Sequence, residues 1–491
     1  MTLATLLTGV SLLSPLPPSV ADMEVKGVAY DSRKVSAGFI FFAFMGAKAD
    51  GTQFAVQAVS NGAVAVFSEA PPPQDFKGSW LQVAHGRQAL AAVCGAFYGR
   101  PDLRLKITGV TGTNGKTTTT YLVDSILRAA GLTTAMIGTI EHRLAGRSLP
   151  SVNTTPESLD LFEMFGELEA AGGTHVTMET SSHALSLGRV HGIQFETAVF
   201  TNLTRDHLDF HGTMEAYFEA KQQLFLDARF AVLNHDDKHA SSIRTSAGAE
   251  VLTYGLNDGA AVRAKHVSSD FNGLRFELHY DGKVHELESP LVGQINVYNI
   301  LAAWSAARTL GIEPEFAARG IAQCAAVPGR LERIDEGQPF LVIVDYAHTD
   351  DALRNAIAIA RGMTAKRVIT LFGCGGDRDR AKRPLMGMAA AETSDIVVLT
   401  SDNPRSEDPL GIMNDALVGV RRFDTELIIE PDREKAIRRA IEKAGPGDIV
   451  LIAGKGHETY QTLKDKTVPF DDREVARRLL RGFGYGKQRE G

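Results

Sequence analysis

The chain has 491 residues, enough for about three domains at roughly 150 residues each, and its 44% hydrophobic and 23% charged content is that of a folded globular protein. Its 52 basic and 59 acidic side chains are interspersed and leave a net charge of −7, which excludes the basic footprint of a nucleic-acid-binding protein. No apolar run approaches the ~20 residues of a membrane span, and three scattered cysteines, Cys94, Cys324 and Cys374, give neither a disulfide framework nor a metal-ligand spacing.

The opening MTLATLLTGVSLLSPLPPSV lacks a basic leader region, so LATLLTGV reads as a short amphipathic helix and the expected compartment is a reducing cytoplasm. The first block, residues 1–100, carries short strands in VKGVAYDSR and AVAVFS, a Pro-rich turn PPPQDFKG, and a helix over Gly86–Tyr98. Pro101–Leu103 reads as a linker. The second block, residues 101–331, alternates β-type runs with helices. LKITGVT, HVTMET, ETAVFTN and RFAVLN are continuously apolar, which predicts a parallel sheet covered on both faces. Alternation on either side of Asp281-Gly282 predicts an antiparallel hairpin before a helix beginning near Asn296. In the third block, residues 332–491, FLVIVDYA, RVITLFG, DIVVLT, ELIIE and DIVLIAG again alternate with helical segments. Right-handed crossovers would set ligand residues at the strand C-terminal ends. The expected fold class is therefore α/β in three domains, with a central parallel sheet bearing a small antiparallel patch.

The densest chemistry lies in KITGVTGTNGKTTTT, residues 106–120. Gly112, Thr113, Asn114, Gly115, Lys116, Thr117 and Thr118 read as a nucleotide-phosphate loop between a strand and a helix. Glycine lets backbone N–H groups approach phosphate oxygens, the helix N-terminus favours an anion, Lys116 meets the β/γ-phosphates and the Thr117 hydroxyl ligates Mg²⁺. ATP is the expected energy source. The spacing departs from G-x-x-x-x-G-K-[ST], since position 110 is Val and the nearest upstream glycine is Gly109.

Glu179 closes the run HVTMET, and Asp206-His207 follows the next one, so a carboxylate and an imidazole could converge near Thr117 as a two-metal site. The structural alternative is that Glu179 caps a turn and His207 bonds locally. Lys221, in YFEAKQQLF, reads from pattern alone as a solvated helix lysine.

Together TGTNGKTTT, NTTPE, METSSHAL, TNLTRDHLDFHG, EAKQQLF, GQINVYN, PGRLE, DYAHT, GCGGDRDRAKRPLMG, SDNPRSEDP and AGKGHETYQ resemble the bacterial Mur ligases nearly end to end. The resemblance implies ATP-dependent amide-bond formation in peptidoglycan synthesis, through an acyl-phosphate on the D-glutamyl γ-carboxylate of the substrate. The blocks would be an N-terminal α/β UDP-substrate-binding domain (1–100), a central ATPase domain (101–331) and a C-terminal Rossmann-like amino-acid-binding domain (332–491). The resemblance makes Lys221 a carbamylated lysine, an anionic oxygen ligand for a second Mg²⁺. Thr117, Glu179 and His207 would be the other metal ligands, with Lys116, Lys221 and His207 catalytic. Asn296, Arg330 and Asp345 would face the nucleotide, with His348 close by.

For the substrate UDP-N-acetylmuramoyl-L-alanyl-D-glutamate, the resemblance implies Tyr30, Ser32, Ala47, Lys48 and Ala49 at the uridine diphosphate and Asn153, Thr154, Thr155, Ser181 and Arg189 at the muramoyl-peptide. Two departures from the family pattern are Leu187, where a polar Gln is common, and Asp350, where Pro is common. The incoming amino acid is expected to be meso-2,6-diaminopimelate. Its distal carboxylate needs an added cation, which Arg405 and Arg378 would supply beside Asp402, Asn403 and Pro404, while Glu458 and the Gly454 carbonyl would hold the distal ammonium. A monomer is expected. The rival readings are a folylpolyglutamate synthetase, which should lack the YDSR and DNPR signatures, and a silent scaffold on the same fold.

Overall fold

Four short strands begin the fold of this computed structural model, which describes residues 1–46, 50–364, 366–464 and 466–486. They are β1 (Gly27–Ala29), β2 (Phe39–Phe42), β3 (Ala65–Ser68) and β4 (Trp80–Gln82), all parallel in the order β1-β2-β3-β4. The helix Gly86–Phe97 buries Leu90, Val93 and Cys94, a 3.6-period stripe, in the same core as Leu161, Phe162 and Phe165 of the helix Ser158–Ala170. It ends one residue earlier than the sequence predicts, with Gly99 left-handed at φ 71° just beyond. LATL forms one helical turn, Leu3–Leu6. Pro101–Leu103 is not a loose linker: it is a 3₁₀ turn whose buried Asp102 carboxylate is gripped by Arg100 at 2.6 and 2.9 Å.

The chain divides into two units, Met1–Val262 with Ala302–Gly320, and Arg263–Leu301 with the chain from Ile321 onward. In the first, the larger sheet holds β5 (Lys106–Thr111), β6 (Thr134–Ile137), β7 (Glu141–Leu144), β8 (Arg147–Pro150), β9 (His175–Glu179), β10 (Phe195–Phe200), β11 (Ala228–Asn234) and β12 (Glu250–Gly255). Their order is β12-β11-β10-β5-β9-β6-β7-β8, parallel from β12 to β6 and antiparallel through β7 and β8. The four apolar runs are β5, β9, β10 and β11, as expected. Because β5 pairs with β9 on one side and β10 on the other, the chain segments leaving all three strands emerge at one sheet edge. That reversal of strand order is where ligands of open α/β sheets bind.

In the second unit, β13 (Val262–Asp270), β14 (Gly273–Tyr280) and β15 (Lys283–Ser289) are antiparallel. Asp281 and Gly282 both take positive φ, 48° and 69°, the twist a two-residue hairpin needs. A second sheet holds β16 (Glu332–Ile334), β17 (Leu341–Asp345), β18 (Val368–Phe372), β19 (Ile396–Leu399), β20 (Glu426–Ile429) and β21 (Ile449–Ala453) in the order β16-β17-β21-β18-β19-β20. All but β16 run parallel. The loops DYAHT, GCGGDRD, SDNPR and AGKGHE therefore leave adjacent strand ends. A ribbon of β22 (Tyr460–Leu463) and β23 (Lys466–Pro469) completes this unit.

Candidate functional site

The phosphate loop leaves β5 through Gly112, whose φ is 147° and where an added Cβ would lie 1.8 Å from the Thr201 Oγ1. Only glycine fits. Gly115, left-handed at φ 87°, caps the helix Lys116–Ala129, whose first-turn amides have no intrahelical acceptor and suit an anion. Thr117, Thr118, Thr119 and Thr120 are all buried at the start of that helix. Two amides counted on for phosphate are taken: Thr113 N donates to the Asn202 carbonyl at 2.8 Å and Asn114 N to its side-chain oxygen at 3.0 Å. The Thr113 hydroxyl lies 3.2 Å from the Tyr217 hydroxyl, so its side chain braces the loop from below. Asn202, the second residue beyond β10, was not singled out in the sequence. Its signal is a hydrogen-bonding side chain at the end of a strand that neighbours the loop.

Lys116 and Lys221 meet on one acceptor. The Gly112 carbonyl accepts from Lys116 Nζ at 3.0 Å and from Lys221 Nζ at 2.7 Å, and Lys116 also donates to the Thr113 carbonyl at 2.8 Å. The solvated-lysine reading of Lys221 fails, since the residue is 2% exposed on the helix Met214–Gln222, its Nζ 4.3 Å from the Tyr217 ring centroid. Burial, reinforced by the Lys116 charge and opposed by Asp206, holds its pKa well below the ordinary lysine value. A neutral amine is a nucleophile, whereas an ammonium is not.

Glu179, at the end of β9, is buried and accepts from the Thr117 hydroxyl at 3.0 Å, the Thr139 N–H at 2.8 Å and the Thr139 hydroxyl at 3.1 Å. A Cβ at Gly138 would come within 2.6 Å of that carboxylate. A hydroxyl and a carboxylate thus meet beside the loop, hard oxygens of the kind Mg²⁺ takes. His207 stands apart from them: its ring packs on His183 at 4.8 Å and Tyr217 at 6.0 Å, with Nε2 3.5 Å from Asp206 Oδ2. Burial, with Lys116 and Lys221 adding to it against Asp206, lowers the His207 pKa and favours the neutral ring that ligates metals. Among the described residues, no three His, Cys, Asp or Glu side chains form a closed metal cluster.

On the peptide side, the Thr155 hydroxyl donates to the Glu179 carbonyl at 2.8 Å and accepts from Ser181 N at 3.1 Å, while the Ser181 hydroxyl caps the helix Ser182–Leu187. The Thr154 hydroxyl lies 3.0 Å from that of Thr139, and Asn153 is exposed. Arg189 donates to the Thr155 carbonyl at 2.9 Å and lies 2.9 Å from Glu157, a buried carboxylate that also pairs with Arg87 at 3.2 Å. Tyr30 donates to Asp160 at 2.7 Å, and buried Ser32 donates to Gln57 at 2.9 Å. Ala47, Lys48 and Ala49 lie outside the described residues. Leu187 is half-buried, and Asp350 begins the helix Asp350–Met363 under a Thr349 cap.

In the second unit, buried Asn296 donates to the Val292 carbonyl at 2.8 Å. Asp345 accepts from the amides of Leu331 at 2.8 Å and Ala347 at 2.9 Å; burial raises its pKa against the pull of Arg330. Arg330 lies 4.9 Å from the Tyr346 ring centroid, and that ring packs on His348 at 4.6 Å and His457 at 4.9 Å.

Arg405 is left-handed at φ 51° and donates from Nη1 to the Gly376 carbonyl at 2.7 Å. Its amide donates to Thr462 of β22 at 3.1 Å, and its carbonyl accepts from Lys464 N at 2.7 Å. Arg378 is exposed on the neighbouring loop, where a Cβ on Gly375 would touch both side chains, at 3.0 and 3.7 Å. Pro404 is buried. Buried Asn403 donates to Glu458 Oε2 at 2.8 Å, and burial raises the pKa of Asp402 despite Arg433 and Lys455. A Cβ on Gly454, whose φ is 114°, would lie 2.8 Å from Asp402 Oδ2. Left-handed backbone at His207, Leu331, Asp377 and Arg405, which is strained in a non-glycine residue, falls in these loops.

Three family models match the chain: Mur ligase family, catalytic domain, over residues 24–98; Mur ligase middle domain over 110–307; and Mur ligase, glutamate ligase domain, over 329–456. A protein of Solibacter usitatus named UDP-N-acetylmuramoyl-L-alanyl-D-glutamate--2,6-diaminopimelate ligase is 65% identical over 99% of both chains. The chain belongs to the Mur ligase family. Another protein of that name, from Geobacillus thermodenitrificans, is 46% identical over 96% of this chain and 99% of its own. A solved structure titled for the same enzyme superposes with a TM-score of 0.72 at 35% identity, covering 96% of this chain and 98% of that one. The folylpolyglutamate synthase of Mycobacterium tuberculosis, at 17% identity, TM-score 0.60 and 75% and 92% coverage, shares the fold alone. The Mur ligase assignment brings with it the three-domain α/β architecture and ATP-dependent amide-bond formation.

Proposed function

We propose that this Mur ligase joins meso-2,6-diaminopimelate to UDP-N-acetylmuramoyl-L-alanyl-D-glutamate in peptidoglycan synthesis, acting as a cytoplasmic monomer. The observation that carries the reading is Arg405, anchored to the Gly376 carbonyl beside Asn403 and Glu458, in a chain 65% identical to a protein named for that reaction. A guanidinium there suits the distal carboxylate that lysine lacks. Among the described residues no helix is long and apolar enough to cross a membrane. The domains follow as 1–100 for the UDP-substrate, 101–331 for ATP and 332–491 for the amino acid.

The reaction has two steps. The D-glutamyl γ-carboxylate attacks the γ-phosphorus of ATP and ADP leaves; the amine of diaminopimelate then attacks the acyl-phosphate carbon, a C–N bond forms, and phosphate and a proton depart. Lys116 and the first-turn amides of its helix neutralise the transferring phosphoryl group. In the phosphate loop the Asn114 and Thr118 side chains add contacts to the nucleotide, and Thr113, whose amide and hydroxyl are already bonded, shapes the loop. Asn296, Arg330 and Asp345 are the further residues proposed to face the nucleotide. Asn153, Thr154, Thr155, Ser181 and Arg189 orient the muramoyl-peptide, and Tyr30, Ser32 and residues 47–49 hold the uridine diphosphate.

Mg²⁺ fits the Thr117 hydroxyl and Glu179 carboxylate, which already meet at 3.0 Å, while His207, which stands apart from them, would serve a second ion with the Lys221 carbamate. When bound, it supplies charge neutralisation at the phosphates. The Lys221 amine, once it has added CO₂ with loss of a proton, offers a carbamate in place of an ammonium. Mass spectrometry of the product formed from UDP-muramoyl dipeptide, ATP and competing diaminopimelate and lysine tests the assignment. Incorporation of lysine, or of neither, sinks it.

A further inference from the structure

Lys455 lies in the turn GKGHE and is fully buried, a rare state for lysine. Its two glycine neighbours take positive φ, 114° at Gly454 and 51° at Gly456. Side chains there would press within 2.8 Å of Asp402 Oδ2 and 2.6 Å of Tyr346 Cβ. The backbone is thereby free to turn the lysine inward beneath the loop.

There its Nζ donates to Glu458 Oε2 at 3.0 Å and to Asn403 Oδ1 at 3.2 Å, and lies 3.8 Å from Asp402 Oδ1. Three donors thus face three oxygens. The Asn403 oxygen also accepts from Thr462 N at 3.0 Å, which fixes the amide so that its Nδ2 donates to the same Glu458 Oε2 at 2.8 Å. One carboxylate oxygen of Glu458 therefore carries two donors, while among the described residues no hydrogen bond to Oε1 is found. The pair Asp402 and Glu458 would carry two negative charges without Lys455 and carries one with it.

We infer that Lys455 is a positioning residue for substrate choice: it pins one oxygen of Glu458, turns the other toward the distal ammonium of diaminopimelate, and leaves the site one negative charge for that ammonium. This rests on the proposed function, in which Glu458 receives that ammonium. Lys455 itself touches no substrate.

The test compares wild type, Lys455→Met, Lys455→Arg, Glu458→Gln and the double variant Lys455→Met/Glu458→Gln in the full chain. The substrates are diaminopimelate and 2-aminopimelate, which lacks only the distal amine. Loss of one charge-assisted contact predicts that Lys455→Met raises KM for diaminopimelate about ten- to a hundredfold. KM for ATP and for the UDP-substrate should not change, and the preference over 2-aminopimelate should narrow by the same factor. Lys455→Arg, which keeps the charge, should show a smaller rise, and it carries the test alone if Lys455→Met does not fold. The double variant should be no worse than Glu458→Gln. An unchanged diaminopimelate KM, an equal rise in all three KM values, or additive effects overturn the role of Lys455 while the function stands. A wild type indifferent to the distal amine overturns both.

Discussion

Lys221 and Lys455 are both buried lysines, and their surroundings are opposite. Lys221 has one carbonyl, one aromatic ring and a second cation near it, and burial drives it toward the neutral amine. Lys455 has a carboxylate and an amide oxygen on its Nζ and a second carboxylate 3.8 Å away, the company an ammonium needs. One residue type thus serves as a latent nucleophile in one unit and as a fixed charge in the other. What differs is the set of acceptors, not the degree of burial.

The largest effect that would break this contrast is on turnover. Lys221→Ala should lower kcat by roughly 10²–10³ or more, as loss of a group that stabilises transition-state charge does. KM for diaminopimelate should hold, and added formate or acetate should restore part of the rate. Steady-state kinetics decide it, and near-normal kcat would make Lys221 a packing residue.

Next comes a third buried basic side chain, Arg433. It pairs with Asp472 at 2.7 and 2.8 Å and donates to the carbonyls of Ser401 at 3.2 Å and Ala453 at 3.0 Å, every group buried. Asp472→Asn strands that charge and should cost about 3–5 kcal/mol in urea unfolding, with Arg433→Met similar or smaller. A loss no larger than that of a surface ion pair would show that buried pairing is not what holds these cations.

Stability should also carry the Lys221 signature. Its folded pKa lies below the unfolded one, so in CO₂-free buffer the native state binds fewer protons and stability rises with pH up to the unfolded value, about 10.4. Lys221→Met lacks that slope. Its gain over wild type, about 1–3 kcal/mol at neutral pH, should shrink toward pH 10. Urea curves with the same pH slope in both proteins would refute a neutral native amine.

The smallest effect concerns thiols, on which burial acts by the same rule. Cys374 is pushed up to about 12 by burial, and Cys94 also rises well above its ordinary value. Neither should react with a thiol reagent at pH 8 before unfolding. Rapid labelling of native protein would contradict the burial argument for Lys221 as well.

The phosphate loop, the four apolar strands and the Asp281-Gly282 turn were legible because each is decided by a few consecutive residues. The tail of the first sheet was not. EHRL and RSLP are short and polar, and only the left-handed pair Ala145-Gly146 marks β7 and β8 as a hairpin. The state of Lys221 was hidden for another reason. Its helix gives no local sign of burial, and the Gly112 carbonyl it meets is 109 residues away in sequence. Lys455 escaped notice likewise, since its partners Asp402 and Asn403 come from a different strand end.

Arg405 is joined through its backbone to β22, part of a largely exposed ribbon rather than the sheet core. The guanidinium that would set amino-acid choice is thus aimed partly from outside the pocket. Insertions or substitutions in that ribbon would re-aim it together with Asn403 and Asp402, which accept from Thr462 N and Gln461 Nε2 of the same strand. Selectivity can therefore drift or be engineered separately from the phosphate chemistry of the other unit, through the exposed residues of that ribbon.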